Sequence, residues 1–209
     1  MKNRTFTISI LNDSFPIVSL DKMVIPTNEI TFLLGESGIG KSLLSKAIYG
    51  ILDPQELTIN INNQPYLHYL QKPQVQKIQK NSFFVFQEPS SHLNPLMTIK
   101  SQIREGSLGR DQRLEHDVLN HLWIDSSEKE IETIINVFPK PFRPSGGEKQ
   151  RILLTMAFKK ILAYQAKQDP IEETFFVFDE PTGSLDNVYR NRFLSFLFQQ
   201  FRIKPFTIW

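Results

Sequence analysis

Residue types that bind phosphate occur together in one short segment, Gly35-Glu36-Ser37-Gly38-Ile39-Gly40-Lys41-Ser42, which is followed by Leu43. Glycines let a backbone turn with several NH groups pointing inward, and the N-terminus of a following helix adds positive charge, so a phosphate chain can be held there. We expect Lys41 to reach the β- and γ-phosphates of a nucleotide and Ser42 to offer its hydroxyl to Mg²⁺. Residues 35–43 are therefore the predicted nucleotide-binding segment.

The alternative for this segment is an ordinary glycine-rich turn before a helix. From average glycine usage, the four fixed positions would coincide by chance in roughly one per cent of chains of this length. A strand is predicted over Ile30 to Leu34 and a helix from Lys41 to about Gly50, which is the context that phosphate loops require. The pattern therefore favours nucleotide binding.

A second candidate is the acidic pair Asp179 and Glu180, which follows the apolar run from Phe175 to Phe178. Ligands of open α/β sheets bind at the carboxyl ends of the strands, where this pair is expected to lie. Asp179 would hold Mg²⁺, and Glu180 would polarise the attacking water as a general base. The alternative is a strand end before the turn Pro181-Thr182-Gly183. The phosphate loop earlier in the chain favours the catalytic interpretation.

A third candidate is Ser145-Gly146-Gly147, which opens a predicted helix running to about Gln165. The free NH groups of a helix N-terminus, with the Ser145 hydroxyl, form an anion site. Taken alone, the same residues could be only a helix cap with a flexible turn.

The elements that must position these segments are strands and helices typical of an α/β fold. Further strands are predicted over Thr5 to Ile10, Ile17 to Leu20, Leu57 to Ile61, Phe83 to Phe86 and Thr174 to Phe178, and from Pro205 to Trp209. The stretch from Pro89 to about Pro144 is predicted to be helical, and His92 is expected to be a solvent or loop residue there. A last helix is predicted over Val188 to Phe201, with Phe193, Leu194, Leu197 and Phe198 as its inner face.

Composition narrows the class of protein. A chain of 209 residues, 40% hydrophobic and 22% charged, is expected to fold in water around one core with a smaller inserted subdomain. The net charge of +2 is too small to indicate nucleic acid as a partner. The absence of cysteine excludes disulfides and thiolate metal sites. No apolar run approaches the roughly 20 residues of a membrane-spanning helix.

The segment from Pro144 to Arg151 resembles the L-S-G-G-Q signature of ABC ATPases. The phosphate loop, Gln87, this signature, Asp179-Glu180 and Ser184-Leu185-Asp186 occur in the order of that family's five motifs. The resemblance implies a P-loop NTPase (RecA-like) core with a mainly parallel sheet, an N-terminal antiparallel β subdomain and an inserted α-helical subdomain. It further implies one ABC ATPase domain over residues 1–209, with 1–88 and 166–209 as the core and 89–165 as the helical subdomain.

The resemblance also implies roles for individual residues. Gln87 would contact Mg²⁺ or the attacking water. Ser145, Gly146, Gly147 and Glu148, together with Asp186, would contact ATP held by a second ABC ATPase domain in a head-to-tail dimer of identical or unlike chains. Phe15 would stack on adenine, although a phenylalanine of the core is the alternative.

The stretch from Phe86 to Ile99 is similar to the F-Q-D-P-x-x-S-L-N-P stretch of peptide and nickel importer ATPases. This resemblance implies ATP hydrolysis that powers solute transport by transmembrane permease subunits and a substrate-binding protein. The chain would lie on the cytoplasmic face of the cell membrane. The alternatives are a soluble ABC ATPase of DNA maintenance or translation, and a nucleotide-dependent binding module with little turnover.

Three departures from the family pattern are present. Pro144 stands where the signature usually has Leu, and Glu148 where it has Gln. All four histidines precede Asp179, whereas the family's switch histidine follows the strand in which Trp209 lies. We therefore expect a chain truncated at its C-terminus.

Overall fold

The computed structural model describes residues 3–55, 57–105, 112–124, 126–140, 143–166 and 174–209. The chain divides into two compact units. The first lies within Met1–Ser82, Ile171–Val177 and Phe206–Trp209, and the second within Phe83–Pro170 and Phe178–Pro205.

The first unit contains an antiparallel sheet in the order β2-β1-β3-β4. Its strands are β1 (Asn3–Asn12), β2 (Phe15–Pro26), β3 (Thr58–Ile61) and β4 (Gln64–Pro65). Alternate residues of β1, namely Phe6, Ile8 and Ile10, are buried, as expected for a strand with one face against a core. The predicted N-terminal antiparallel strands are confirmed, and β2 is longer than its prediction.

A parallel core in the first unit is built around the last residues of the chain. Ile208 forms parallel bridges with both Ile30 and Phe176. The NH of Thr31 donates to the carbonyl of Ile208 over 2.9 Å, and the NH of Trp209 donates to the carbonyl of Phe176 over 2.8 Å. Residues 206–209 thus lie between the two chain segments that lead to the phosphate loop and to the acidic pair.

The strand predicted over Ile30 to Leu34 is largely wrong. Of these residues only Ile30 forms a bridge in the described structure, while Phe32 and Leu34 are 75% and 86% exposed. The apolar character of this segment therefore does not reflect burial on both faces.

Three helices complete the first unit: α1 (Lys41–Tyr49), α2 (Tyr66–Leu70) and α3 (Pro73–Asn81). The helix α1 was predicted, whereas α2 and α3 were not. Gly50 ends α1 with φ of 90°, and a Cβ there would lie 2.6 Å from Nε2 of Gln79. That amide donates to the Gly50 carbonyl over 2.8 Å, so the end of α1 is fixed to α3.

The second unit is mainly helical. Its helices are α4 (Ile99–Glu105), α5 (Gln112–Leu122), α6 (Glu128–Ile135), α7 (Gly146–Ala166) and α8 (Asn187–Ile203). The short strand β5 (Phe84–Val85) pairs with β6 (Val177–Phe178), which ends in this unit. The NH of Asp179, just after β6, donates to the carbonyl of Val85 over 3.0 Å.

Aromatic side chains of α7 and α8 form the core of the second unit. Phe158 is fully buried and stacks on Phe193 and Phe196, with ring centroids 5.8 and 4.0 Å away. The predicted inner face of α8 is half wrong, because Leu194 and Phe198 are 36% and 40% exposed. The buried residues Phe193, Phe196, Leu197 and Gln200 follow the spacing of a helix stripe. Because α8 has apolar residues on both faces, the pattern of apolar residues in the sequence did not predict which face is buried.

Among the described residues, no helix is both long enough and apolar enough to cross a membrane.

We predict that Phe158→Ala lowers the free energy of unfolding by about 3–5 kcal/mol, because it leaves a cavity between α7 and α8. Phe198→Ala is the matched control, since Phe198 is partly exposed on α8, and it should cost less than about 1 kcal/mol. Urea denaturation of both variants measures the difference. Equal losses would contradict the packing described for this core.

Candidate nucleotide-binding and catalytic residues

The predicted phosphate loop lies in the first unit, between Ile30 and α1. Gly38 and Gly40 have φ of 84° and 94°, in the left-handed region that favours glycine. Gly40 precedes α1 without a side-chain cap, and the first turn of α1 has no acidic residue. The NH groups at this helix end, with its positive dipole, are therefore suited to an anion.

Lys41 folds back over this loop. Its Nζ donates to the carbonyl oxygens of Gly35 and Glu36 over 2.8 and 2.6 Å. A phosphate oxygen would be a stronger acceptor than a neutral carbonyl, since charge-assisted hydrogen bonds are about twice as strong as neutral ones. A Cβ at Gly38 would meet nothing within 4 Å, so the loop is open on that side. Ser42, the predicted Mg²⁺ ligand, is half-buried in the first turn of α1.

The strand β2 lies against this loop. A Cβ at Gly40 would stand 2.8 Å from Cγ2 of Val18, so any larger residue would displace the Val18 side chain. Phe15 precedes Val18 by three residues at the start of β2 and is 76% exposed. The alternative that Phe15 belongs to the core is therefore wrong. An exposed aromatic ring at the start of the strand that contacts the loop fits the predicted stacking on a base.

In the second unit, Gln87 and Glu180 contact each other directly. Nε2 of Gln87 donates to Oε2 of Glu180 over 2.8 Å, although the residues are 93 positions apart. Each follows one of the paired strands β5 and β6 by two residues. The structure thus brings together the two residues predicted to act on the attacking water.

The backbone of Glu180 is strained. Its φ is 46°, in a region that costs a non-glycine residue about 1–3 kcal/mol. A turn follows, in which the NH of Gly183 donates to the Glu180 carbonyl over 3.3 Å. Strain of this kind is found where a side chain must be held in a fixed direction.

Asp179 is half-buried beside this pair. Groups of three or more His, Asp or Glu side chains that could hold a metal are absent among the described residues. A magnesium ion that binds a nucleotide needs only one or two carboxylates, because phosphates and waters complete its shell. Asp179 and Gln87 fit this limited role, as does Ser42 in the first unit.

The signature segment opens α7 with a capping box. The NH of Ser145 donates to Oε2 of Glu148 over 2.7 Å, and the NH of Glu148 donates to Oγ of Ser145 over 3.3 Å. The Glu148 carboxylate therefore lies at the same helix end as the predicted anion site. Gly146 is open around its Cα, whereas a Cβ at Gly147 would stand 3.1 Å from the Ser184 carbonyl oxygen.

Asp186 caps α8. Its Oδ1 accepts from the NH groups of Val188 and Tyr189 over 2.9 and 3.1 Å. This contact gives Asp186 a role within its own chain, and its predicted contact with a nucleotide of a second chain stays a prediction.

The sequence does not predict the burial of Lys149 and Gln150 in α7, and it predicts His92 only as a solvent or loop residue. His92 packs on the rings of Phe83 and Phe86, with centroids 4.8 and 5.1 Å away. Burial lowers the pKa of His92 to about 4, so the ring is neutral at pH 7. No local pattern marks Lys149 or Gln150, because their partners Ser90 and Pro181 lie 59 and 31 positions away in the sequence.

Comparison with known proteins identifies the family. The ABC transporter profile matches residues 20–183. The chain is 28% identical to the molybdenum import ATP-binding protein ModC of Aliivibrio fischeri, over 84% of this chain and 42% of that protein. It is 26% identical to the dipeptide transport ATP-binding protein DppD of Escherichia coli, over 90% of this chain and 56% of that protein. The nickel import ATP-binding protein NikE of Escherichia coli is 28% identical, over 86% of this chain and 63% of that protein.

Solved structures agree in fold. The dimeric structure of the bacterial ABC transporter cassette MJ0796 has a TM-score of 0.65 and 20% identity, over 99% of this chain and 86% of that one. An ATP-bound bacterial Atm1-family ABC exporter has a TM-score of 0.68 and 20% identity, over 99% and 33%. These likenesses confirm the predicted P-loop NTPase fold with its N-terminal antiparallel strands.

The chain spans about half the length of these three curated relatives, from 42% of ModC to 63% of NikE. The family profile nevertheless covers most of the chain, from the middle of β2 to the turn after Glu180. The predicted family is therefore confirmed: this protein belongs to the ABC transporter family.

Proposed function

We propose that this chain binds and hydrolyses ATP as the ATPase subunit of an ABC importer. The observation that carries the proposal is the 2.8 Å hydrogen bond between Gln87 and Glu180 at the ends of two paired strands. It joins the two residues that the family resemblance assigns to the attacking water, in a chain that also carries an open phosphate loop.

Residues 35–43 would hold the phosphates of ATP. The backbone NH groups of the loop and the uncapped end of α1 would bind the phosphate oxygens, and Lys41 would exchange its two carbonyl partners for the β- and γ-phosphates. Ser42 and Asp179 would hold Mg²⁺, which supplies positive charge against the charge that develops on the γ-phosphate. Phe15 would stack on the adenine ring.

Glu180 would act as the general base. One carboxylate oxygen, Oε2, already accepts from Gln87, and this hydrogen bond fixes the direction of the carboxylate. The other oxygen would take a proton from the water that attacks the γ-phosphate. Gln87 would position the base and, by its amide oxygen, contact Mg²⁺ or the water.

A second ABC ATPase domain, identical or unlike, would complete the site. Ser145 and Gly146 are exposed at the start of α7, where a partner's γ-phosphate could be bound by the NH groups of the helix end. Gly147, Glu148 and Asp186 would contact the same nucleotide. The structurally similar MJ0796 cassette is a dimer in its solved structure, which supports this arrangement.

Import is the direction that the relatives favour, since their names describe molybdenum import, dipeptide transport and nickel import. We propose a peptide or nickel as the transported solute, from the likeness of the stretch from Phe86 to Ile99 to such importers. The partners would be transmembrane permease subunits and a substrate-binding protein, with this chain on the cytoplasmic face. The helical subdomain within residues 89–165 would contact the permease, and the remaining residues would form the ATPase core.

We predict that the chain binds MgATP and releases phosphate, and that Lys41→Met lowers its affinity for MgATP about 10- to 100-fold, because a charge-assisted hydrogen bond is lost. Lys46→Met is the matched control, since Lys46 lies in the last turn of α1, away from the loop. Isothermal titration calorimetry and a phosphate-release assay measure both variants. A chain that neither binds MgATP nor releases phosphate, or a Lys41→Met variant that binds like the wild type, would refute the proposed function.

We predict that Phe15→Ala lowers affinity for ATP about 5- to 100-fold, because stacking of a base on an aromatic ring contributes about 1–3 kcal/mol. Inorganic triphosphate, which has no base, should bind both forms equally well. Phe15→Trp should keep most of the affinity for ATP. An equal loss for ATP and triphosphate in Phe15→Ala would show that Phe15 supports the loop and does not contact the base.

A further inference from the structure

Two adjacent polar residues, Lys149 and Gln150, are buried in the second turn of α7, only 4% and 1% exposed. They follow the signature residues Ser145 to Glu148 directly. Burial of an ammonium group or an amide is unfavourable unless hydrogen bonds replace those made with water. The hydrogen bonds of these two side chains therefore have to account for their burial.

Gln150 reaches the turn that follows the candidate base. Its Nε2 donates to the carbonyl of Pro181 over 2.9 Å, and Pro181 follows Glu180 directly. Its Oε1 is buried without a hydrogen-bond partner in the described structure. A buried acceptor left unsatisfied costs about 1–3 kcal/mol, so an apolar side chain of similar shape would serve stability as well or better. The amide is therefore explained by its contact with Pro181 and not by core packing.

Lys149 reaches the segment that follows Gln87. Its Nζ donates to Oγ of Ser90 over 3.0 Å, within the short 3-10 turn Pro89–Ser91. The side chain of Glu88 caps this turn, because its Oε1 accepts from the NH of Ser90 over 3.1 Å. Lys149 thus attaches this turn, which begins two residues after Gln87, to α7.

We infer that Lys149 and Gln150 are positioning residues that hold Gln87 and Glu180 in their hydrogen-bonded arrangement and attach that pair to the signature helix of the same chain. This inference rests on the proposed function. Lys149 donates to the turn that follows Gln87, and Gln150 donates to the turn that follows Glu180. In the same turn of α7, a Cβ at Gly147 would stand 3.1 Å from the carbonyl oxygen of Ser184. A shift of α7 would therefore move both residues that act on the attacking water.

The test replaces each side chain with a methionine of similar length. We expect Gln150→Met and Lys149→Met to lower kcat for ATP about 10- to 100-fold, since a small misplacement of catalytic groups has effects of that size. KM for ATP should stay within about 2-fold, because the phosphate loop is untouched. The melting temperature of Gln150→Met should be unchanged or higher, since the unsatisfied Oε1 is removed. Lys149→Arg, which keeps a donor, should retain more activity than Lys149→Met.

Lys159→Met is the matched control. Lys159 lies on the same helix, ten residues after Lys149 and therefore about 15 Å further along the helix axis. It is 6% exposed and donates to the carbonyl of Ile103 over 2.8 Å. We expect its kcat to match the wild type. If Gln150→Met and Lys149→Met keep wild-type kcat, or lower it no more than Lys159→Met, the inference is wrong.

Amide hydrogen exchange tests the same contacts without turnover. Gln150→Met should accelerate exchange at Gly183 and Leu185, whose NH groups close the turn after Glu180. Lys149→Met should accelerate exchange at Ser91 and His92, whose NH groups bond to Glu88 and Pro89. Unchanged exchange would overturn the inference. A wild-type chain without ATP hydrolysis would refute the proposed function, while the exchange rates would still decide whether these residues position the two segments.

Discussion

The pairing of β5 with the end of β6 is the constraint on which the catalytic arrangement depends. The backbone hydrogen bond from Asp179 to Val85 aligns the two strand ends, and Gln87 and Glu180 then meet two residues further along each chain segment. Glu180 has an unusual backbone conformation, with φ of 46°, at the point where the chain continues into the turn at Pro181. Gln150 bonds to that turn from α7. Strand pairing thus places Gln87 and Glu180 side by side, and the buried Gln150 side chain attaches the turn after Glu180 to α7.

Two helix N-termini serve as candidate anion sites, and they differ in charge. The N-terminus of α1 has neither a side-chain cap nor an acidic residue in its first turn. The N-terminus of α7 is capped by Ser145 and Glu148, so a carboxylate already lies at the positive end of this helix dipole. The same helix dipole that attracts a phosphate at α1 is therefore partly satisfied within the chain at α7. This difference fits the proposed roles, in which the α1 end holds the nucleotide of its own chain and the α7 end contacts that of a partner.

Local sequence patterns predicted much of the site, because the phosphate loop, the acidic pair and the signature each depend on residues close together in the chain. The start of α7 and the family followed from them. Side-chain facing was harder to predict: α8 has apolar residues on both sides, so Leu194 and Phe198 were placed inside when Phe196 and Gln200 are buried. Lys149 and Gln150 are buried through partners that are distant in sequence. His92 is half-buried against two aromatic rings. Polar residue types alone suggest exposure at all three positions. The helices α2 and α3 were missed because α2 has only five residues and the buried positions of α3 are only Val75 and Ile78, too few to mark a helix in the sequence.

We propose that Glu180 activates the water that attacks ATP bound at the phosphate loop. A single-turnover measurement of phosphate release from MgATP, made on the wild-type chain and on Glu180→Gln, tests this role of Glu180. The variant keeps the shape of the side chain but removes the base, so we predict that ATP binding is retained while the rate falls at least about 100-fold, as loss of a general base requires. Glu128→Gln, on the exposed start of α6, is the control and should behave as the wild type. Phosphate release by Glu180→Gln at the wild-type rate would show that Glu180 is not the general base.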